Sequence, residues 1–511
     1  MTFQAIRALH ACIGSAIDEL ERIFHQSGPT SLDFPPLNDP VSPPDAPPCS
    51  EALAEELANG PAALVPIRYI VAACAQLSAT VNRPFDGLID AIQGGQLSAC
   101  VRFMEAAHVV EILRGAGSEG MHVDDICQAI VDLRPKSSVT CQDTKNLTPE
   151  RLVHVLRVLA TTHWLREVSP NVFANNRRSS VVDTGKTLED LRNDPANKFT
   201  GTNGIAASVS HISDELSKSG MHLTEWLLPD VRYINPSSHY GASPEPPQHS
   251  RDDQQGIRHF APFNLAYRTK LGYFDWLELP GHAHKLKRVE HSMTGTAGWE
   301  VKGEVLRAFP WDQLAEGSLL VDVGGGIGSA SIQVAQVHPN IRVVVEDRVP
   351  VMDTAHSAWG SNHKELFQSG RVSWRYRDFF APWKPFVDGK VPDVFLLRLV
   401  LHDWPDEDAR RRLRPAAGPN TKLIIGDMLL MHACHNNGES ALVKQDSPLL
   451  ANLGAANLQP YLLDLMMTAM LAGKERTMAE MAELLLSAGW KMSQVRRSAA
   501  SLWAYTIAVP V

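Results

Sequence analysis

Two stretches of this chain combine residue types that chemistry needs with spacings that chemistry can use. The first is Leu319-Leu320-Val321-Asp322-Val323-Gly324-Gly325-Gly326-Ile327-Gly328, an apolar strand pattern running into a glycine-rich turn, with a helix expected from about Ser329. Without Cβ atoms at Gly324, Gly326 and Gly328 the backbone can approach a ligand closely, and the amides opening the next helix can hydrogen-bond it. Nineteen residues after Gly328, at the end of the next strand, Asp347 can accept hydrogen bonds from both hydroxyls of a ribose. Loop and acid together point to an adenosine-containing cofactor. The spacing is G-x-G-x-G, and Ser329 stands where the nicotinamide fingerprint needs its third glycine. A nicotinamide-dependent oxidoreductase is thereby disfavoured, as it is by the lack of a Tyr-x-x-x-Lys pair near the sheet.

The second stretch is Leu401-His402-Asp403-Trp404, expected just past the carboxyl end of the fourth strand, where open α/β sheets bind ligands. A histidine there has the pKa of a general base at neutral pH and needs no metal. The bland alternative is a surface turn, with Asp403 capping the following helix and Trp404 filling core.

These residues need a scaffold, and the pattern from Leu319 onward supplies one. Strands are expected at Leu319–Val323, Ile341–Glu346, Val372–Arg377, Val391–Leu399 and Lys422–Met428, with helical segments between them. Such alternation predicts an α/β fold with a parallel, doubly wound sheet. Lys491–Arg497 and Leu502–Val509 have no helix between them, so the second should return antiparallel as a C-terminal hairpin.

Ahead of the sheet the chain reads as mostly helical. Val101–Leu113 and His122–Ile130 are expected helices, and a third starts at Thr148 as N-cap with Pro149 in its first turn. Trp164–Val168 and Val172–Ala174 flank a Ser169-Pro170-Asn171 turn, which completes a winged-helix outline. Residues 3–24 form an amphipathic helix whose apolar face must be covered, a dimer partner being one candidate. The linker after it holds eight prolines between residues 28 and 49. Residues 229–256 and 432–458 read as insertions or mobile loops.

Composition narrows the function class. The 511 residues carry a formal net charge of −9, which argues against a general nucleic-acid binder or a polybasic membrane-surface protein. The winged-helix segment 101–183 holds ten basic and ten acidic residues, without the basic excess of a duplex-binding face. The seven cysteines form no metal-ligand spacing and no even framework, so no metal is expected and the thiols read as reduced. With no apolar run of spanning length and no secretory leader pattern, the expectation is a soluble, cytoplasmic protein.

Five ordered motifs now carry a resemblance: Leu320–Gly328, Glu346-Asp347, Arg377-Asp378-Phe379-Phe380, Leu401–Glu407 and Gly473-Lys474-Glu475-Arg476-Thr477. Over roughly residues 100–510 the chain resembles the phenolic O-methyltransferases of the plant caffeate type and their fungal secondary-metabolism relatives. The resemblance implies a class I methyltransferase sheet behind a winged-helix-like dimerisation domain, S-adenosylmethionine as cofactor and a homodimer. Val109, Val110 and Ile112 would then be exposed to the partner.

The same resemblance assigns roles. Gly324, Gly326, Gly328, Asp347, Asp378, Phe379 and Arg398 would hold the cofactor, with Arg398 replacing the lysine of the plant enzymes. His402 would be the base, bracketed by Glu475 and Asp427, the latter one methylene shorter than the usual glutamate. Asp403 would hydrogen-bond the acceptor; Met293 and Met466 would grip its ring; and Met470 stands where caffeate-type enzymes can carry an asparagine. Ala261–Tyr267 and Tyr273–Leu277 match the bridge between the family's two domains. The implied acceptor is a small aromatic or polyketide-type molecule, caffeate itself being disfavoured by Met470.

The implied division is an N-terminal helix (1–27), a linker (28–50), the dimerisation domain (51–185), linking helices with an acceptor-pocket segment (186–300) and the catalytic domain (301–511). One rival persists within this fold: an enzyme that keeps S-adenosylmethionine without transferring its methyl and catalyses a rearrangement or cyclisation. His402 with Glu475 argues against it.

Overall fold

The computed structural model describes residues 3–26, 32–41, 49–134, 146–229, 259–295, 301, 303–349, 363–377, 386, 389–413, 417–436, 442–498 and 500–511. The chain forms two compact units, one from residues 1–221 with 273–298 and one from residues 222–272 with 299–511. The stretch expected to link two domains is therefore shared between them.

In the first unit the helix Phe3–Gln26 buries Leu9, Ala16 and Phe24 and packs along the helix Pro61–Val81. An apolar run of spanning length was not expected, yet Pro61–Val81 is long and apolar enough to cross a membrane. It carries Arg68, which is buried, and lies along another helix of the same chain. The winged-helix outline is present: helices Val123–Asp132 and Pro149–Thr161 accompany a three-stranded antiparallel sheet of Met121–His122, Val172–Ala174 and Arg166–Ser169.

One expectation for this unit fails. The helix expected over Val101–Leu113 is broken at His108, whose φ of 56° is left-handed, giving helices Gly94–Ala106 and Val109–Arg114. The break redirects the second helix. Val109, Val110 and Ile112 are not exposed to a partner; they are buried in the core with Ile126, Leu156 and Phe173.

The second unit holds a seven-stranded sheet: β1 (Ser318–Val323), β2 (Ile341–Asp347), β3 (Val372–Tyr376), β4 (Val394–Arg398), β5 (Lys422–Asp427), β6 (Trp490–Arg496) and β7 (Ala504–Pro510). The spatial order is β6-β7-β5-β4-β1-β2-β3, with β7 antiparallel to β5 and to β6 and the remaining pairs parallel. This is the doubly wound sheet with a C-terminal hairpin. Strands β1, β4 and β5 are central and almost wholly buried, which is why they read as continuous apolar runs instead of alternating ones.

The insertion at 229–256 lies almost entirely outside the described residues. Within the described part of the 432–458 segment, residues 432–436 are exposed, whereas Val443, Leu449, Ala451 and Leu453 are buried and Asn452 donates to the Tyr461 hydroxyl.

Candidate active site

The parallel strands deliver their carboxyl ends to one edge of the sheet, and the site is built there. After β1 the chain turns through Gly324, Gly326 and Gly328, all with positive φ, into the helix Ser329–Val337. Glycine is required at two positions for different reasons. Gly326 adopts φ of 58°, and a Cβ there would meet no atom within 4 Å, so the loop faces open space. At Gly325 a Cβ would lie 2.6 Å from the Asp322 carboxyl and 2.8 Å from Val345, so this residue lets the loop settle onto the sheet. Buried Asp322 accepts from the Ser331 hydroxyl, fixing the start of the helix, and burial pushes its carboxyl up to about 6.

Asp347 ends β2 beside this loop. Its Oδ2 accepts from the Gly326 amide at 2.7 Å and its Oδ1 from the Arg348 amide at 2.7 Å. Burial raises its pKa in spite of both bonds. The neighbouring Glu346 is paired with Arg375 and Arg377 and is thus tied to structure. Arg398, at the end of β4, lies close enough to Asp322 to lower its pKa. Asp378 and Phe379 lie outside the described residues.

The base is carried by a strained turn. β4 ends at Arg398, and Leu399 takes a φ of 56°, a region that a branched side chain rarely occupies, before the short turn Leu401–Asp403. His402 is buried, and its Nδ1 lies 2.6 Å from Glu475 Oε1. Its Nε2 faces Asp403 Oδ1 at 3.5 Å. Burial disfavours the imidazolium, but the charge and hydrogen bond of Glu475, aided by Asp403 and Asp427, outweigh it and lift the pKa to about 10. Asp403 does not cap the next helix, whose N-cap is Pro405, and Trp404 packs against the core under β4 and β5.

Asp427 ends β5, beside β4. It is buried and close enough to interact electrostatically with His402 and Glu475, yet neither of its carboxyl oxygens has a hydrogen-bond partner. Burial, with the charges of Glu475 and Asp403, pushes it up to about 7 against the pull of His402 and Arg476. Asp427 therefore shares the site with His402 but does not hold its ring.

Sequence reasoning assigned no role to Arg476, which fixes the turn. Its buried guanidinium donates to Leu401 O at 3.0 Å and Trp404 O at 2.8 Å, the two carbonyls flanking His402 and Asp403, and to Asp406 Oδ1 at 2.9 Å. Gly473 presses on the same turn, since a Cβ there would lie 2.1 Å from His402 O. The Asp464 carboxylate accepts from the Glu475 amide at 2.9 Å, and Thr477 forms a capping box with Glu480. The signal for that box, T-x-x-E, was present in the sequence.

The helix Gln459–Leu471 carries Met466 and Met470. Met470 is buried, and Met466 packs with Met428, Leu463 and Trp503. The helix Pro262–Tyr267, with Phe263 fully buried, packs against this same helix. Met293 belongs to the first unit, on the helix Ala283–Gly295, and is half exposed.

Residues 281–491 match the model of the O-methyltransferase domain family. An O-methyltransferase of Armillaria gallica is 34% identical over 499 residues, covering 96% of this chain and 95% of the relative. The chain belongs to the O-methyltransferase family. The 4-O-methyltransferase 1 of Phanerochaete chrysosporium is 32% identical, with 96% of each chain covered. Among solved structures, the mitomycin 7-O-methyltransferase MmcR matches with a TM-score of 0.57 at 20% identity, over 86% of this chain and 99% of that one. LepI in complex with SAM matches with a TM-score of 0.61 at 17% identity, over 90% and 98%. Likeness at that identity speaks for the fold alone.

The enzyme is an S-adenosylmethionine-dependent O-methyltransferase. The residues present fit that cofactor: an open glycine cradle, a helix amino terminus and a half-buried carboxylate at the strand end suit an adenosine with its ribose.

Proposed function

We propose that the enzyme methylates a hydroxyl of a small aromatic or polyketide-type acceptor, with His402 Nε2 as the general base and Glu475 as the group that orients it. The observation that carries this reading is the buried 2.6 Å contact between His402 Nδ1 and Glu475 Oε1. It directs the second ring nitrogen toward an acceptor and favours the imidazolium that forms when the proton arrives. S-adenosylmethionine, when bound, supplies an electrophilic methyl on a sulfonium. The acceptor oxygen would bond to that methyl carbon as the carbon–sulfur bond breaks, the sulfur leaving as a neutral thioether, and would give its proton to His402 Nε2. Glu475 lifts the pKa of His402 toward that of a phenol, which favours movement of the proton to Nε2.

Gly324, Gly326, Gly328 and Asp347 would hold the adenosine, with Arg398, Asp378 and Phe379 beside it. Asp403 would touch the acceptor, and Met466 and Met470 would wall it. We read the first unit as a homodimerisation module and the enzyme as cytoplasmic. The helix Pro84–Ile92 buries none of its residues and exposes Phe85, Leu88 and Ile92, which supports a partner surface there; a monomer at micromolar concentration in sedimentation would remove it. The intact His402–Glu475 pair favours methyl transfer over a rearrangement.

The test is incubation with methyl-labelled S-adenosylmethionine and a panel of phenols, enols and carboxylic acids. Label should enter the phenols, and His402→Ala should lower transfer by about a hundredfold or more. Equal transfer by the variant would sink the base assignment.

A further inference from the structure

The turn that carries His402 runs directly into the helix Asp406–Arg412, whose first turn holds three acids, Asp406, Glu407 and Asp408. Glu407 is exposed and pairs with Arg411 of its own helix. The other two reach away from the helix. Asp406 accepts from Arg476 Nε at 2.9 Å and from Lys474 Nζ at 3.1 Å, the residues on either side of Glu475. Asp408 is buried and accepts from Nε2 of His259, 149 residues away in the chain.

His259 opens a segment that is braced within itself. The Phe260 carbonyl accepts from Trp226 Nε1 at 2.9 Å and the Ala261 amide donates to Asn264 Oδ1 at 2.9 Å. Asn264 Nδ2 donates to the carbonyls of Thr269 and Leu271, each at 3.0 Å. The helix Pro262–Tyr267 inside this segment packs on Gln459–Leu471, the helix of Met466 and Met470. None of these bonds ties the segment to the turn of the base, and the bond between His259 and Asp408 does. Exposed ion pairs constrain little, but a buried carboxylate that loses its partner is costly, so this bond holds firmly. Arg411, 3.7 Å from the other Asp408 oxygen, belongs to the same helix and fixes nothing beyond it.

We propose that His259 and Asp408 are a positioning pair that sets the acceptor wall against the base. Asp408 registers the segment 259–271 on the same helical turn from which Asp406 grips the residues around Glu475. The inference rests on the O-methyl-transfer reading, in which Met466 and Met470 wall the acceptor, and it adds what holds that wall in place. Glu475 and Arg476 hold the His402 turn whether or not the pair is intact. Cutting the pair therefore weakens acceptor binding in the ground state and the transition state alike, which raises KM and spares kcat.

The test is steady-state methylation of the best phenol of the panel above, with calorimetry of S-adenosylhomocysteine on each variant. His259→Ala should raise the acceptor KM about tenfold, with kcat and cofactor affinity each changing less than about threefold. Asp408→Ala should do the same, and the double variant should be no worse than either single one, because all three lose one tie. His259→Phe keeps a ring without a donor and should match His259→Ala, which it replaces where the smaller residue does not fold. His259→Gln can still donate to Asp408 and should recover most of the wild-type KM. An unchanged KM in His259→Ala and His259→Phe overturns the proposal, as does cofactor affinity lost in step with acceptor binding, or single effects that multiply in the double variant. Each of those results leaves methyl transfer by the wild-type enzyme standing. Absence of label in every phenol with the wild-type enzyme would instead bring down the underlying reading, and this inference with it.

Discussion

Asp347 and Asp427 are the same residue type at the same kind of position, the carboxyl tip of a parallel strand in one sheet, and their surroundings are opposite. Both are held above the usual carboxylate range by burial. Asp347 nevertheless has a backbone amide on each oxygen, while Asp427 has no partner on either. One end of the site is assembled before any ligand arrives, with the loop and the acid bonded to each other. The other end keeps its hydrogen-bonding capacity unmet, at a cost to the fold.

The sharpest way to break this contrast is to remove each carboxylate and measure cofactor binding. Asp347→Ala takes away a charged acceptor and frees the Gly326 amide that it anchors. Calorimetry with S-adenosylhomocysteine should show affinity falling roughly 10- to 100-fold. Asp427→Ala should move the same affinity by less than about threefold. Similar losses in both variants would mean that the two ends are not distinct.

A second comparison concerns the group that orients the base. The Glu475 carboxylate raises His402, so Glu475→Gln should lower its pKa from about 10. A general base works only when neutral, so the rate climbs with pH until the base has lost its proton. The climbing limb of the wild-type profile should therefore run into alkaline pH, and that of the variant should lie at lower pH. Activity at the plateau should also fall by roughly 10- to 100-fold, since the ring loses a charged partner that fixes its tautomer. A limb that stays in place would assign it to a different group.

The two ends were also unequally legible in the sequence. The cofactor end is local: a strand, three glycines and an acid at the end of the next strand, all fixed by spacing within one β-α-β turn of chain. The base end joins Leu401–Asp403, Asp427 and Gly473–Arg476 across loops, and only its residue types could be read. That Asp427 misses the imidazole, and that Arg476 holds the carbonyls on both sides of the His402 turn, are facts of distance that spacing does not encode. The same limit explains the first unit. The apolar pattern of Val101–Leu113 is continuous, but the left-handed turn at His108 rotates Val109, Val110 and Ile112 into the core, and periodicity cannot announce a break that no proline or glycine marks.

Arg476→Lys tests whether the turn needs two tethers. Lysine keeps the positive charge felt by Asp427 but cannot hold Leu401 O and Trp404 O together in one plane. We expect kcat to fall about tenfold with the acceptor KM nearly unchanged, because His402 is displaced and the acceptor surface is not. A rise in KM alone would make Arg476 a contributor to the pocket and not to the base.

The smallest effect is on stability, and its sign separates the two aspartates. Asp347→Asn weakens bonds that the folded state makes, so it should lower the unfolding free energy. Asp427→Asn removes a buried charge without a partner and should raise it, each by about 1 kcal/mol. The pH dependence follows from direction. Burial places Asp427 near 7 in the folded protein, above the value of about 4 for an exposed aspartate. The folded state therefore binds this proton more tightly than the unfolded one, and the group's contribution is lost as pH rises from about 4 through 7. The gain from Asp427→Asn should be larger at pH 8 than at pH 4, measured by denaturant unfolding of the full chain without ligand. A variant less stable than the parent at pH 8 would mean that Asp427 is already satisfied by His402, and that the two ends of the site are built alike.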